Sequence, residues 1–476
     1  METGFDSYLS PFSWRYGSIG MRALFSEHKT RLLWRKCWVA LAKAESKAGL
    51  VSKEEVAELE KNAGNIDIAK ALQIEKEIRH DLMAEVKVYA SQCPKAGGKI
   101  HLGATSMDVE DNAEAMRQKQ ALFLIEQQLA AVISSLNQKI IQYSSTPCMA
   151  FTHLQPAEPT TIGYRFANWQ QDLLEDLEQV KWMRASIKGK GLKGAVGTGA
   201  SYAKLLEGAK VTPEQLEQEF MKELELTAFD AATQTLPRKQ EYTLSVVLAT
   251  VAQTLHKIAF DIRVLQSPAF GELSEPFGEK QVGSSAMPFK RNPITCERIC
   301  SLTRLVSNYP KTAWDNAANS LLERTLDDSA NRRIWIPEMF LALDESLRLM
   351  DKVLSGLQVN LQQVEANLET YGPFAGTEAV LMTAAKRGGN RQELHEAIRE
   401  SSMKAWLDVK AGKKNPLDEL LAKDRRITDK VPAGEIPGLL DAKTHVGRAA
   451  AVAKKIAAGA EQAAKDYEKR GKQEIF

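Results

Sequence analysis

Five polar segments of this 476-residue chain carry residue types able to do chemistry. One is Phe151-Thr152-His153-Leu154-Gln155-Pro156-Ala157-Glu158-Pro159-Thr160-Thr161. Pro156 and Pro159 make it an irregular, rigid connection ahead of a long helix and hold His153 in a non-helical turn. A histidine there suits general acid work, because its ordinary pKa of about 6.5 lies near neutrality. The competing reading is a buried histidine that satisfies a backbone group. A second segment, GSSAMPFKRNP at 283–293, sets flexible Gly-Ser-Ser before Lys290-Arg291, just ahead of a helix expected from about Ile294. A plain loop accounts for the Gly and Ser but not for the Met-Pro-Phe-Lys-Arg-Asn-Pro behind them.

A third segment, ERTLDDSANRR at 323–333, brings Arg324, Arg332 and Arg333 close to Ser329 and Asn331. If they converge they form a forked anion receptor, since guanidinium is the group suited to bidentate phosphate contacts. Otherwise Asp327 and Asp328 neutralise them on a salt-bridged helix face. In the fourth, HLGATSMD at 101–108, Thr105, Ser106 and Asp108 are N-cap types. Capping and anion binding share the same free N–H groups and hydroxyls. The fifth is Arg79-His80-Asp81, at the end of a charged helical run, whose plain reading is a solvated surface histidine.

Several common chemistries are excluded. No GxxxxGK[ST] element is present, and GKGLKG at 189–194 has the letters of GxGxxG but follows the helical stripe ending at Ile187 rather than a strand, so a phosphorylated ligand would be held by side chains. The Gly-rich GKGLKGAVGTGAS at 189–201 reads as a hinge or as a backbone cradle for a carboxylate. Neither HExxH nor GxSxG occurs. The five cysteines (37, 93, 148, 296 and 300) are too few and scattered for a disulfide framework and point to a reducing compartment. Cys296 and Cys300 share a helical face, yet no second pair completes a zinc site.

The elements that must position these groups are helices. Apolar residues recur at helical spacing at Leu122, Ile125, Leu129, Val132, Leu136 and Ile140. They do so again at Trp169, Leu173, Leu177, Val180, Met183 and Ile187, and at Leu244, Val247, Val251, Leu255, Ile258, Ile262 and Leu265. With Val246 and Leu248 widening the last stripe, these predict long core helices of a bundle, with room for subunit contacts. Seven Gly or Pro residues between Ser267 and Pro293 forbid one continuous helix there and predict a lid or binding loop. YGPFAG at 371–376 predicts a second break, opening a smaller C-terminal domain. Residues 447–469, rich in Ala, Lys and Glu, read as an exposed or interfacial helix.

The expected fold is therefore all-α, in three helical domains: 1–108, a central long-helix bundle 109–364 with the loop 267–293, and 365–476. Composition agrees with an ordinary globular chain, 44% apolar and 26% charged. Sixty-three basic and 61 acidic residues give a net charge of +2, which argues against a nucleic-acid partner. The N-terminus shows no charged region followed by an apolar stretch, so no leader and no membrane span are expected, and the location read is cytoplasmic.

Together these segments resemble the fumarase/aspartase superfamily of helical lyases, whose GSSxMPxKxNP motif is similar to residues 283–293. RHD, HLGATS, FTHLQPAEPTT and ERTLDDSANRR resemble the adenylosuccinate lyase branch in order and spacing. Phe289 departs from the pattern, standing where the branch has His or Tyr. The resemblance implies anti-elimination of fumarate from adenylosuccinate, giving AMP, and from succinylaminoimidazole carboxamide ribotide. It implies a homotetramer with active sites shared between subunits, small-molecule nucleotide substrates, and no metal or organic cofactor. By position in the motifs, His153 resembles the general acid and Ser284 the general base, supported by His80 and Lys290. Arg15, Tyr16, Arg324, Ser329 and Arg333 resemble the residues around the phosphate and ribose. Arg79, His80, Asp81, Thr105, Ser106, Gln234, Lys290, Asn292 and Arg298 complete the implied substrate contacts. The rival readings are an argininosuccinate lyase-like enzyme of the same superfamily and a non-catalytic helical homologue.

Overall fold

The computed structural model describes residues 6–278 and 280–470; Met1–Phe5, part of the stretch read as lacking a leader, lie outside them. The fold is all-α, with strands confined among the described residues to two two-stranded pairs. Long helices run at Ser106–Tyr143, Ile162–Ser186, Lys239–Gln266 and Asp327–Ser355. The three stripes read from the sequence are buried along their whole length, from Leu122 to Ile140, Trp169 to Ile187 and Leu244 to Leu265. Each fully buried Leu, Ile or Val side chain contributes about 1.5–3 kcal/mol. Val246 was expected to widen the third stripe but remains exposed. The Lys239–Gln266 helix is apolar enough over one 18-residue window to span a bilayer, yet 56% of that window is buried inside the protein. It is built as a core helix.

The residues cluster into two compact units, and the cuts between them fall inside long helices. The first takes the segments up to Gln128, Asp176–Gln253 and Ser301–Leu347. The second takes Leu129–Glu175, Thr254–Cys300 and the chain from Arg348 onward. In the second, the helices Leu361–Lys386, Arg391–Lys410 and Leu417–Lys423 enclose a core of Val380, Leu394, Ile398, Leu417, Leu421 and Ile436.

Two local expectations are corrected. The segment around His153 is not irregular: it is an antiparallel hairpin, β1 (Pro147–Thr152) with β2 (Gln155–Thr161), carrying a bulge between Met149 and Phe151. Pro156 and Pro159 fit because each strand of a two-stranded sheet has a free edge needing no donor. The break expected at YGPFAG does not occur, for the Leu361–Lys386 helix continues through Pro373. Its glycines serve packing instead. A Cβ on Gly372 would meet Ala442 Cβ at 2.6 Å, and one on Gly376 would meet the Leu440 Cα at 2.6 Å. The loop 267–293 is irregular as predicted, apart from β3 (Leu273–Ser274), which pairs with β4 (Gln358–Val359).

These packing facts make opposite predictions for two helical glycines. Gly376→Ala gains about 1 kcal/mol of helix propensity but drives a methyl into immobile backbone, for a net loss of about 1–2 kcal/mol. Gly459, in the Ala449–Arg470 helix, has nothing within 4 Å of its added Cβ, so Gly459→Ala should stabilise by up to about 1 kcal/mol. Urea midpoints moving in opposite directions check both.

Candidate active site

The predicted acid and base lie on separate segments of the second unit. His153 and Leu154 form the two-residue loop of the β1–β2 hairpin, with φ of 52° and 60°. Positive φ at both positions is the type I′ turn that suits a right-twisted hairpin, a geometry normally supplied by Asn-Gly. Side chains with a Cβ cost about 1 kcal/mol apiece there. The Thr152–Gln155 pair closing the turn imposes the geometry. His153 is thereby held at an exposed tip, and its imidazole has no hydrogen-bond partner among the described residues. The buried-histidine reading fails.

Ser284 sits in a loop that folds back on itself. Its Oγ accepts from the backbone N–H of Ala286 at 3.3 Å and of Met287 at 3.1 Å. Asn292 Nδ2 donates to the Gly283 carbonyl at 3.0 Å, so this predicted substrate contact acts here as the latch of the loop. Gly283 is required at the crossing, since a Cβ would lie 2.0 Å from the Lys290 carbonyl oxygen. Lys290 and Phe289 point outward and are exposed. The following helix, Ile294–Val306, starts where expected, and buried Glu275 caps it by accepting from Thr295 N at 3.0 Å and Cys296 N at 2.9 Å. Arg298 is exposed on that helix.

The first unit gathers most of the predicted ligand-binding residues. Arg79 ends one helix in the left-handed conformation, and His80 is the N-cap of the next, Asp81–Gln92. His80 Nδ1 accepts from Met83 N at 3.4 Å, which puts the proton of the neutral ring on Nε2, 3.5 Å from Ser106 Oγ. Asp81 pairs with Arg333 at 2.6 Å. Burial raises the Asp81 carboxyl pKa, but Arg333 outweighs it and holds the group below its usual value. Asp81, Arg324, Ser329 and Arg333 line a cavity of about 330 Å³ together with Glu110 and Arg117. Arg15 lies outside that lining, exposed beside the Trp14 ring, and Tyr16 packs on Phe12. Gln234 is tied in through its N–H to the Glu323 carbonyl at 3.1 Å.

The arginines of this segment line one cavity and are also salt-bridged. Arg324 lines the cavity while bonding to Asp328 at 2.9 Å. Asp328 also accepts from buried Arg238 at 2.8 Å, and Arg238 reaches Asp111 at 2.9 Å. Arg332 is held by Glu241. Burial pushes the Glu241 carboxyl pKa up, but Arg332 and Arg238 outweigh it. Asp111, Arg238 and Glu241 were not singled out from the sequence, because isolated charges in helical segments carry no mark of pairing. The Gly-rich segment is the backbone cradle, and the carboxylate it holds is the chain's own. Asp108 accepts from Lys190 Nζ at 2.7 Å, Lys193 N at 3.1 Å, Gly194 N at 3.1 Å and Tyr202 Oη at 3.1 Å. Thr105 N completes the set at 3.0 Å, so Thr105 and Asp108 cap the Ser106–Tyr143 helix as expected. Among the described residues, no group of three His, Cys, Asp or Glu is placed to hold a metal ion.

Glu110 gives the cavity a titration that can be read. Burial, then Asp81 and Asp111, push its carboxyl up to about 7 from an ordinary 4.5, against Arg333 and Arg332. Below about pH 4.5 Glu110 is protonated both folded and unfolded, so it contributes no difference. As pH rises towards 7 the unfolded chain ionises first and stability falls, by on the order of 3 kcal/mol once pH exceeds the folded value. Glu110→Gln removes that loss. Urea unfolding should show the variant gaining clearly on the parent at pH 8 and much less at pH 5.

Comparison with known proteins bears on what such a site belongs to. A family model described as lyase matches residues 20–307, and one described as adenylosuccinate lyase C-terminus matches residues 373–456. Adenylosuccinate lyase of Schistosoma mansoni is 40% identical over 94% of this chain and 93% of its own. That of Saccharomyces cerevisiae is 39% identical with the same coverage, and that of Pyrococcus horikoshii 35%, over 94% of this chain and 96% of its own. Among solved structures, 3-carboxy-cis,cis-muconate lactonizing enzyme from Pseudomonas putida superposes with a TM-score of 0.84 at 24% identity, covering 95% of this chain and 99% of that one. A fumarate lyase from Mesorhizobium gives 0.82 at 24%, over 95% and 100%. At that identity the structures speak for the fold alone, whereas the sequence relatives span almost the whole chain, and on that ground the chain belongs to the adenylosuccinate lyase family of the fumarase/aspartase superfamily.

Proposed function

We propose that this chain cleaves adenylosuccinate to AMP and fumarate, and succinylaminoimidazole carboxamide ribotide to the free carboxamide ribotide and fumarate, by anti-elimination. The observation that carries the substrate assignment is the cavity on which Arg324, Ser329, Arg333 and Asp81 converge, a setting for a phosphorylated ribose. In the reaction a base takes the proton next to a succinyl carboxylate, and negative charge builds on that carboxylate. The C–N bond then breaks as the double bond of fumarate forms, and an acid protonates the leaving nitrogen.

Ser284 is the proposed base. A serine hydroxyl is a poor base, but two backbone N–H groups already donate to its Oγ, and hydrogen bonds to the charged form favour ionisation. His153, exposed and fixed by its strained turn, is the proposed acid. Lys290 is assigned to the developing carboxylate charge, where a cation acts most strongly once water is excluded. His80 supports the acid, with Arg79 and Asp81 beside it. Arg15 and Tyr16 join Arg324, Ser329 and Arg333 around phosphate and ribose. Thr105, Ser106, Gln234 and Arg298 take the succinyl and base portions, and Asn292 serves by latching the loop.

The working form in this reading is a cytoplasmic homotetramer whose active sites draw segments from different subunits, acting on small nucleotides without nucleic acid or membrane. The division into three helical parts at 108 and 364 goes with it. Following the ultraviolet change as adenylosuccinate becomes AMP and fumarate tests the reaction. His153→Ala and Ser284→Ala should each lower kcat by roughly 10²–10⁴-fold or more while ligand binding stays measurable. Near-normal rates in either variant would remove that residue from its role. Turnover of argininosuccinate in place of adenylosuccinate, or of neither, would replace the substrate assignment. Diluted to monomers, the enzyme should be inactive; full activity in a monomer would exclude shared sites.

A further inference from the structure

The residues assigned as acid and base sit on segments with little framework of their own, a two-residue hairpin tip and an irregular loop. Their roots meet at one side chain. Arg165, in the first turn of the Ile162–Ser186 helix, donates from Nη2 to the Met149 carbonyl in β1 at 2.6 Å. That strand leads four residues on to His153. From Nη1 it donates to Glu272 Oε2 at 2.7 Å, at the root of the loop that leads to Ser284. Glu272 is fully buried. Its other oxygen accepts from Asn367 Nδ2 at 3.0 Å, and the same amide donates to the Phe270 carbonyl at 3.0 Å. The Glu272 carbonyl accepts from Asn360 N at 2.9 Å. Alongside, the Phe151 ring of β1 meets the Phe270 ring edge-on at 4.8 Å.

We propose that Arg165 and Glu272 are positioning residues for the elimination: this buried pair, with Asn367 as a third leg, sets the His153 hairpin and the root of the Ser284 loop as one piece. The inference rests on the roles given above to His153 and Ser284. Its chemistry is specific to the groups present. Guanidinium offers a planar fork of N–H donors whose neighbouring nitrogens bind a carbonyl and a carboxylate at once. A lysine carries its three donors on one nitrogen, without the planar fork that fixes the Met149 carbonyl and the Glu272 carboxylate relative to each other. Nothing in the brace belongs to the Arg324–Ser329–Arg333 cavity. A fault in the brace therefore misplaces reacting groups without removing substrate contacts, and a misplacement of about 1 Å costs on the order of 10²-fold in rate.

The test uses the full-length enzyme and three variants: Arg165→Lys, which keeps the charge beside Glu272; Arg165→Met with Glu272→Met, which leaves no buried charge unpaired; and Asn367→Leu, which removes one neutral leg. Thermal midpoint, oligomeric state, kcat per folded protein and KM for adenylosuccinate are measured for each. The expected result is kcat lower by about 10²-fold in the first two and by less in the third, with KM within about threefold of the parent. Wild-type kcat in a folded Arg165→Lys or double variant overturns the proposal. So does a loss that merely tracks unfolded protein or dissociated subunits, or a rise in KM with kcat unchanged. The His153→Ala and Ser284→Ala variants, run in parallel, separate the two failures. If they are inactive while the Arg165 variants are normal, only the brace is wrong; if they are active, the acid and base assignments are wrong, whatever Arg165 does.

Discussion

A charge taken out of water must find a complete set of partners, and that requirement organises the functional parts of this chain. Removing one partner of a buried ion pair costs roughly 3–5 kcal/mol, because it strands the other charge. Asp108, Arg238 and Glu272, all essentially buried, show the rule at work, with Arg238 bonded through Nε and Nη1. None draws its partners from one segment. Asp108 is met by Lys190, Lys193, Gly194 and Tyr202, more than eighty residues away in sequence. Arg238 joins Asp111 to Asp328, and Glu272 joins Arg165 to Asn367. Each bonded set works only when several remote segments arrive together, so satisfying the charge also fixes those segments.

The site residues sit on what these sets fix. Asp108 holds the start of the Ser106–Tyr143 helix, and with it the Thr105–Ser106 step beneath His80. Asp328, shared between Arg238 and Arg324, aims Arg324 at the cavity. At the tips of these segments, beyond the reach of the buried charges, backbone constraint takes over. The type I′ turn fixes His153, and the close approach of Gly283 to the Lys290 carbonyl, with the Asn292 latch, fixes the Ser284 loop. His153 and Ser284, the proposed acid and base, stay exposed and half-exposed, as groups that must meet a ligand have to be.

Apolar periodicity made the scaffold readable. The stripes at 122–140, 169–187 and 244–265 are core because a 3.6-residue repeat leaves a helix few other ways to bury itself. The candidate site was legible through motifs that are long and irregular, where a run such as GSSAMPFKRNP is more than a plain loop needs. What stayed hidden was of two kinds. Prolines in FTHLQPAEPTT and YGPFAG argue locally for irregular chain, yet a free strand edge accommodates the first and tertiary packing on Leu440 and Ala442 carries a helix through the second. Pairing is the other kind. Nothing about Arg165, Arg238 or Glu272 in isolation tells which distant group will neutralise it, so the network under the candidate site appears only in the folded chain.

The near-neutral balance of 63 basic and 61 acidic residues takes on a meaning here. The arginines of the cavity are not a bare positive patch; each is already engaged by a carboxylate. Those engagements differ in kind. Arg238, which does not line the cavity but shares Asp328 with Arg324, is 2% exposed and its partners no more than 3%, so no solute can displace them. Arg333 is 62% exposed against 18% for Asp81, and a pair so wet contributes about 0–1 kcal/mol. A ligand phosphate, with more charge and more acceptor oxygens than one carboxylate, can take Arg333 from Asp81 at little cost. It leaves Asp81 free to accept from a ligand hydroxyl such as those of a ribose. The buried pairs hold the shape while the exposed pair is free to exchange, so in the proposed reading the cavity stays folded without ligand and offers Arg333 to a phosphate.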